Sequence, residues 1–350
     1  MIRLLLIALL AQNAGALVAQ PVGAPRPLFA DDAPLTCTLV ARMQAINRDR
    51  AKPRAGEAVP KYPAQFWFVS AATDTVRLPV TLSVRGNFRR DGANCKFPPL
   101  YLNVPKKAAK QTLFAGQDKL KLVTHCQLDE YVVREYLVYR LYNLLTDLSF
   151  RARLARVTYV DSLRKRPTET HWGLLLEDAA DLARRNQVRL TKTRTKAQFA
   201  DSLTMATAAV FEYMIGNTDW SVPFQHNVRI LIDSTKARPL VVPYDFDHAG
   251  IVDARYARPA EQLGIESVRE RLYRGPTYPA SLLRQVLTRF VALKPQFYAL
   301  YQTNPHLSPE YIRATVRYLD DFYRTITDPK LAQRAFGLNT GTGIQIRGLN

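Results

Sequence analysis

Asp219, Asn227 and Asp245 combine two carboxylates with a carboxamide, and Asp247 stands two residues beyond the last of them. Carboxylate and amide oxygens are the donors that Mg²⁺ accepts, with water and phosphate oxygens commonly completing its six positions. A carboxylate near such an ion also suits the orientation of an attacking hydroxyl. The set therefore fits phosphoryl transfer, which asks a protein for positioning and charge stabilisation more than for covalent chemistry. Taken singly, each residue has a plainer explanation: Asn217-Thr218-Asp219 is a sequence that closes turns. A second chemistry stays open, because His226 and His248 with Asp219 and Asp245 offer nitrogen and oxygen ligands for Zn²⁺ or Mn²⁺ and a metal-dependent hydrolysis. That set lacks tight ligand spacing such as H-x-x-x-H. The absence of a G-x-S-x-G elbow disfavours a serine hydrolase.

The elements around these residues must bring them together. Residues 197–215 read as an apolar-faced helix closed by Gly216, which suits the left-handed position after a helix. A polar loop, 217–221, follows; then His226-Asn227 opens a strand at 228–232, residues 233–236 turn, and 240–242 run into Pro243-Tyr244-Asp245-Phe246-Asp247. A hairpin of this kind folds Asp245 back beside Asn227. If the segment is extended, Asp245 and Asp247 face the same side.

Upstream, short apolar alternations at 65–69, 76–84, 100–104 and 119–123 predict antiparallel strands. Asp129 is placed to cap a helix in which Val132, Val133, Tyr136, Leu137, Leu141, Leu144 and Leu145 recur at helical spacing. Strands at 154–160 and 172–176 follow, and residues 278–326 read as two long helices whose aromatic stripes belong to the core. The expectation is an α+β, two-lobed molecule, with a β-rich small lobe over 63–177 and a mainly helical large lobe over 178–350.

The first 19 residues pair a basic start, Met1-Ile2-Arg3, with an apolar run at 4–10 and small residues before Ala19, the pattern of a secretory signal peptide. The apolar stretch is shorter than the roughly 20 residues of a membrane span, and no later segment qualifies. An exported protein, periplasmic or extracellular, without a membrane span is expected. Residues 20–62 form a Pro/Ala- and basic-rich N-terminal segment, in which Pro21 to Pro34 reads as a tether and the basic stretch from Arg48 to Lys61 as mobile surface. The 49 Lys and Arg against 30 Asp and Glu give a net charge of +19, enough to attract polyanions without choosing among them. No nucleic-acid motif accompanies the charge, so a specific nucleic-acid partner is not expected. Cys37, Cys95 and Cys126 lack zinc-type spacing. In an oxidising compartment Cys95 with Cys126 is the preferred disulfide, because Cys95 precedes the strand at 98–104 and Cys126 follows the one at 119–124, with three buried thiols as the alternative.

The run from Asn217-Thr218-Asp219-Trp220-Ser221 through His226-Asn227 to Pro243-Tyr244-Asp245-Phe246-Asp247 and Gly250 resembles the active-site pattern of the CotH family of secreted kinases. Arg85-Gly86-Asn87 is similar to that family's R-G-N/T motif, the stretch 134–139 to its first long helix, and 175–178 to its hinge. HipA-type kinases share a more distant likeness. The resemblance spans about residues 85–250, sharpest over the catalytic segment, and implies an atypical protein-kinase-like fold that passes phosphate from ATP with Mg²⁺, or Mn²⁺ in its place. It implies Asp219 as the catalytic carboxylate, Asn227 and Asp245 as metal ligands with Asp247 as a second ligand, and Lys121 on the nucleotide phosphates with Glu135 as its helix partner. Lys119 competes with Lys121 for that role, and Glu177 or Asp178 stands at the adenine hinge, where the backbone binds. By the same likeness the acceptor is a protein Ser or Thr hydroxyl, or another hydroxyl-bearing substrate in the envelope or outside. The sequence carries no G-x-G-x-x-G, H-R-D or D-F-G motif, as in CotH-like proteins generally. A binding or structural envelope protein that keeps the fold and has lost the chemistry is the alternative.

Overall fold

The computed structural model describes residues 23–54, 56–70 and 74–337, so the export leader expected at 1–19 lies outside the described residues. Period-two alternation builds the first half into strands β1 (Leu35–Ala41), β2 (Tyr62–Val69), β3 (Thr75–Val84), β4 (Leu100–Asn103), β5 (Lys119–Val123), β6 (Ala152–Asp161) and β7 (Glu169–Leu176). In β2, for example, Ala64, Phe66 and Phe68 are buried while Gln65 is exposed, the signature of a strand with one face on a core. The strands close into a barrel in the order β1-β2-β3-β4-β5-β7-β6. All pairings are antiparallel except β1 with β6, which is parallel and seals the barrel. Phe66, Phe68 and Phe114 meet in its core with ring centres 5.0–5.9 Å apart.

Strand β1 lies between the stretches expected to be a tether, 21–34, and mobile surface, 48–61, and the first of these is corrected by the buried Leu28 and Phe29. Leu35, Cys37, Leu39 and Ala41 are buried, and β1 lies between β2 and β6 in the barrel. The preceding residues are fastened as well: buried Arg153 donates to the carbonyls of Leu28 and Ala33 and pairs with Asp31 at 2.9 Å. The strand itself, Leu35–Ala41, alternates buried and less buried residues, and the barrel needs it for closure.

Short helices α1 (Met43–Arg48) and α2 (Lys106–Ala109) punctuate the strands, and α3 (Glu130–Leu145) packs against β6 and β7. Nearly every side of α3 is buried, including Val133, Glu135, Leu137, Tyr139 and Leu141, so it is a helix enclosed in the core. Asp129 does not cap it, because its backbone is already helical and its side chain makes no capping bond. The carboxylate instead bonds His171 and Arg156.

The second half is mainly helical, as expected for the large lobe. Helix α4 (Ala179–Arg185) leads to β8 (Arg189–Thr191) and α5 (Ser202–Ile215); the hairpin β9 (Val228–Ile232) and β10 (Leu240–Pro243) joins β8 in a three-stranded sheet. Helix α5 begins later than the pattern predicts, because Asp201 caps it by accepting from the Thr204 N–H, and residues Ala197–Phe199 form a separate 3₁₀ turn. The aromatic-striped tail is α6 (Ala280–Ala292), α7 (Lys294–Gln302) and α8 (Pro309–Thr327), then α9 (Pro329–Phe336). Among its core residues are Phe290, Phe297, Phe322 and Phe336. The expected first long helix of this tail is broken at Leu293, where Pro295 opens the next one. No helix among the described residues is long and apolar enough to cross a membrane.

Cys95 and Cys126 form the expected disulfide, which ties the β3–β4 connection to the turn after β5, and Cys37 is a buried free thiol. The bond closes a loop with a sequence separation of 31 residues. Loop-closure entropy for that length puts its contribution at about 3–4 kcal/mol. Reduction, or Cys95→Ser with Cys126→Ser, is expected to lower the urea midpoint accordingly; an unchanged midpoint would assign the bond no stabilising part.

Candidate active site

Helix α5 ends where Gly216 turns left-handed, with φ +68°, and the Asn217 N–H returns to the Glu212 carbonyl at 2.8 Å. That reversal starts the loop carrying Asp219. Asn217 Oδ1 accepts from the Asp219 N–H at 3.0 Å, and the Arg274 guanidinium donates to the carbonyls of Thr218 and Trp220 at 2.6 and 2.7 Å. Paired backbone hydrogen bonds between Ser221 and His226 then fold the chain so that His226 and Asn227 meet Asp219. His226 Nε2 lies 2.9 Å from Asp219 Oδ1. Asn227 Nδ2 donates to the Asp219 carbonyl at 2.7 Å and to its Oδ2 at 3.1 Å. With its nitrogen committed, the Asn227 amide has its oxygen left for a cation.

Three non-glycine residues here adopt left-handed backbone, Gln225 at φ +51°, Asn227 at φ +52° and Asp245 at φ +66°. Asn and Asp tolerate this region better than most residues, and such conformations persist where surroundings enforce them. The enforcement is visible: the Tyr244 N–H donates to the Asn227 carbonyl, and the Asp245 N–H donates to the hydroxyl of buried Tyr139 on α3 at 2.9 Å. Beyond Asp245, Phe246 is buried between Tyr139 and Phe211. The Gly250 and Ile251 N–H groups return to Gly216 and Ile215 at the end of α5. Gly250 has no room for a side chain, because a Cβ there would stand 2.1 Å from the Val268 carbonyl. The extended geometry expected for 245–247 is therefore corrected: the left-handed turn at Asp245, not strand alternation, places Asp245 and Asp247 on one cleft.

That cleft, about 250 Å³, is lined on one side by the turn after β3, from Arg85 to Arg89, with Pro99 and Val123, and on the other by Asp219, His226, Asn227, Tyr244, Asp245, Asp247 and His248. Gly86 enters the turn at φ +84°, a conformation glycine adopts without strain.

The structure gives Glu135 a different partner from the expected Lys121. Arg89 Nη1 lies 3.4 Å from Glu135 Oε2 and 3.7 Å from Asp247 Oδ2, and its other amino group donates to the Thr124 carbonyl. Burial pushes the Arg89 guanidinium down, but Tyr256, Asp247, Glu135 and Asp245 outweigh it and hold it above its ordinary range. Burial pushes Glu135 well up, and the charge of Asp247 adds to it. Asp247 is likewise raised by burial and by Asp245 and Asp219, against His248 and Arg89; the Tyr256 hydroxyl donates to it at 3.2 Å. Arg89 is not among the residues singled out by the sequence, because scattered basic pairs such as Arg89-Arg90 are ordinarily solvated, whereas in the structure its side chain is 10% exposed. Its nearness to Arg85-Gly86-Asn87 was the only available signal.

The other expected nucleotide contacts stand apart from the lining. Lys121 holds its ammonium 4.8 Å from the centre of the Tyr244 ring, and burial, with Arg85, lowers it to about 8. Lys119 is exposed and lies over Tyr101 at 4.0 Å. Glu177 is spent inside the protein: its carboxylate takes Arg185 at 2.9 and 3.1 Å and the Arg151 N–H, and its own N–H donates to the Arg151 carbonyl. Asp178 caps α4. The Glu177 backbone N–H is thus already used inside the protein.

A hard cation suits the donor set. Asn227, Asp245 and Asp247 offer oxygens, and the buried carboxylates of Asp247 and Glu135 repel one another with one guanidinium between them, an excess of negative charge that a divalent ion would offset. The histidines fit less well. Among the described residues, Asp219, His226, Asp245 and His248 do not form a compact ligand group, and His248 packs edge-on against Phe88 and Tyr256.

Burial lowers the affinity of His226 for its proton, but the Asp219 hydrogen bond and the charges of Asp219 and Asp245 outweigh it, so the imidazole titrates above its ordinary value. A raised folded value means the stabilisation is complete below the unfolded value near 6.5 and is lost as pH rises through the folded one. Denaturation between pH 6 and 8, where Lys121 begins to deprotonate in both proteins alike, is expected to show wild type losing stability relative to His226→Gln as pH rises. Parallel profiles would remove the ion pair from the account.

No family model matches the sequence, and no curated protein matches it. Among solved structures the chain is similar to the crystal structure of a Helicobacter pylori proinflammatory kinase, CtkA, at 11% identity and a TM-score of 0.41, over 72% of this chain and 95% of that one.

Proposed function

We propose that the protein is an exported phosphotransferase that passes the terminal phosphate of ATP to a hydroxyl, a protein Ser or Thr in the envelope or outside the cell, with Mg²⁺ or Mn²⁺. The observation that carries this reading is the convergence of Asp219, Asn227, Asp245 and Asp247, from three segments of the chain, on one cleft whose facing turn brings Arg85 and Arg89. Asn227 and Asp245 would hold the metal ion, with Asp247 beside them, and the ion supplies positive charge to the phosphate oxygens when bound. Asp219, oriented by His226 and Asn227, aligns the acceptor hydroxyl and takes its proton as the oxygen–phosphorus bond forms and the bond to ADP breaks. Arg85 adds charge to the cleft wall, and Lys121, retaining its proton near neutral pH, adds a further positive charge behind Tyr244. The Cys95–Cys126 disulfide supports export, since such bonds persist in oxidising compartments.

The test is incorporation of label from γ-labelled ATP into the protein itself and into casein-like and basic acceptors, with Mg²⁺ or Mn²⁺, beside calorimetry of nucleotide binding. Incorporation supports the reading and leaves the acceptor to be found. One observation favours a binding-only protein: the Lys121 to Glu135 pair is replaced by Arg89 with Glu135. Nucleotide binding without incorporation would select that second reading, and neither would remove both.

A further inference from the structure

A second cluster of metal-capable side chains lies outside the cleft lining. His125 stands in the turn after β5, Asp129 immediately before α3, and His171 in β7; one ligand atom from each lies within 4.8 Å of the other two. The imidazoles of His125 and His171 are stacked, with centres 3.6 Å apart and planes 17° from parallel. Asp129 Oδ1 lies 2.8 Å from His171 Nδ1, while Oδ2 is held by Arg156 at 3.2 Å and by the Trp172 N–H at 3.4 Å. Glu169 places Oε2 3.6 Å from His171 Nε2. His125 Nδ1 is buried with no hydrogen-bond partner, and an orphaned buried nitrogen of this kind calls for an explanation.

We propose that His125, Asp129 and His171 form a site for a borderline transition-metal ion, Zn²⁺ first, reached when the His125 ring turns out of its stack on His171, with Glu169 holding the other ring nitrogen of His171 from outside the ligand set. Two imidazoles and a carboxylate select Zn²⁺ over Mg²⁺, which prefers an all-oxygen set. Ordered partners on the far oxygen of a carboxylate are the outer arrangement that fixes metal ligands. Arg156 and Trp172 supply them here. This also accounts for Asp129, which stands at the start of α3 and does not cap it. The neighbouring disulfide anchors the turn that carries His125. A bound ion would staple the barrel strand β7 and that turn to the start of α3, the helix that presents Glu135 and Tyr139 to the cleft. The proposal stands independently of phosphotransfer.

The experiment uses the full mature protein, stripped with a chelator and held in excess Mg²⁺, titrated with Zn²⁺ in a calorimeter and followed by thermal melting. The expected result is one equivalent bound and a Tm raised by several degrees, both retained in Asp245→Ala. In His171→Ala the affinity falls more than about 100-fold, beyond the 10–100-fold typical of losing an outer partner. His171→Gln replaces that variant if a circular dichroism spectrum shows it unfolded. No binding, binding that survives loss of the His171 ring, or binding lost only in Asp245→Ala would overturn the site; the last outcome would move the ion to the cleft.

Discussion

Replacing Asp219 by alanine is expected to lower γ-phosphate incorporation by about 10²–10⁴-fold, the range over which a positioned acid or base contributes, and replacing Asp245, the proposed metal ligand, is expected to lower it strongly as well. The two losses should differ in kind. Asp219 makes its contacts through His226 and Asn227, so nucleotide binding should survive Asp219→Ala while turnover falls. Asp219→Asn keeps the shape of the side chain and should fall nearly as far, because an amide does not take the hydroxyl proton. Asp245→Ala should weaken Mg²⁺-dependent nucleotide binding as well, and raised Mg²⁺ should restore part of it. The backbone raises a separate issue at Asp245, since its φ is +66° and alanine tolerates that region less well than aspartate. Asp245→Asn therefore belongs beside it, to separate strain from ligand loss. The measurement is initial rate and nucleotide affinity on variants whose melting is unchanged. Full activity in folded Asp219→Ala would exclude this residue from the chemistry.

The second large effect concerns Arg89. Its guanidinium is buried among Glu135, Asp247 and the Thr124 carbonyl. Removing one member of a buried ionic group leaves the others uncompensated, which costs about 3–5 kcal/mol. Arg89→Ala is expected to lose that much in urea denaturation. Arg89→Lys should recover less than half, because one ammonium does not reach three acceptors as a planar fork does. Adding Glu135→Gln to Arg89→Ala should restore part of the loss, since burial already pushes Glu135 toward its neutral form. A strictly additive double variant would show that Arg89 and Glu135 do not interact. If the pair also orders the cleft, Arg89→Lys should reduce nucleotide affinity at temperatures where it is fully folded.

Local rules carried much of this protein. Period-two runs marked β2 to β7, helical spacing marked α3 and α5, and Gly216 marked the end of α5, because these signals depend only on neighbours along the chain. The approach of Asp219, Asn227 and Asp245 was legible too, since a helix end, a loop and a hairpin are close in sequence and the hairpin itself dictates the pairing. Only the tertiary structure decided the rest. Strand β1 alternates apolar and polar residues, but its place between β2 and β6, parallel to the latter, is set only by the closing of the barrel. Arg89 became the partner of Glu135, 46 residues away, because a turn and a helix with no local relation pack together there. Asp129 has the residue type and position of a cap, yet strand β7 brings His171 within 2.8 Å of it, and that contact replaces the helix N–H. Residue type and spacing determine what a segment is able to form. Which charge meets which is set by burial and by contacts between distant segments, and these exist only once the barrel has closed and α3 has packed against it.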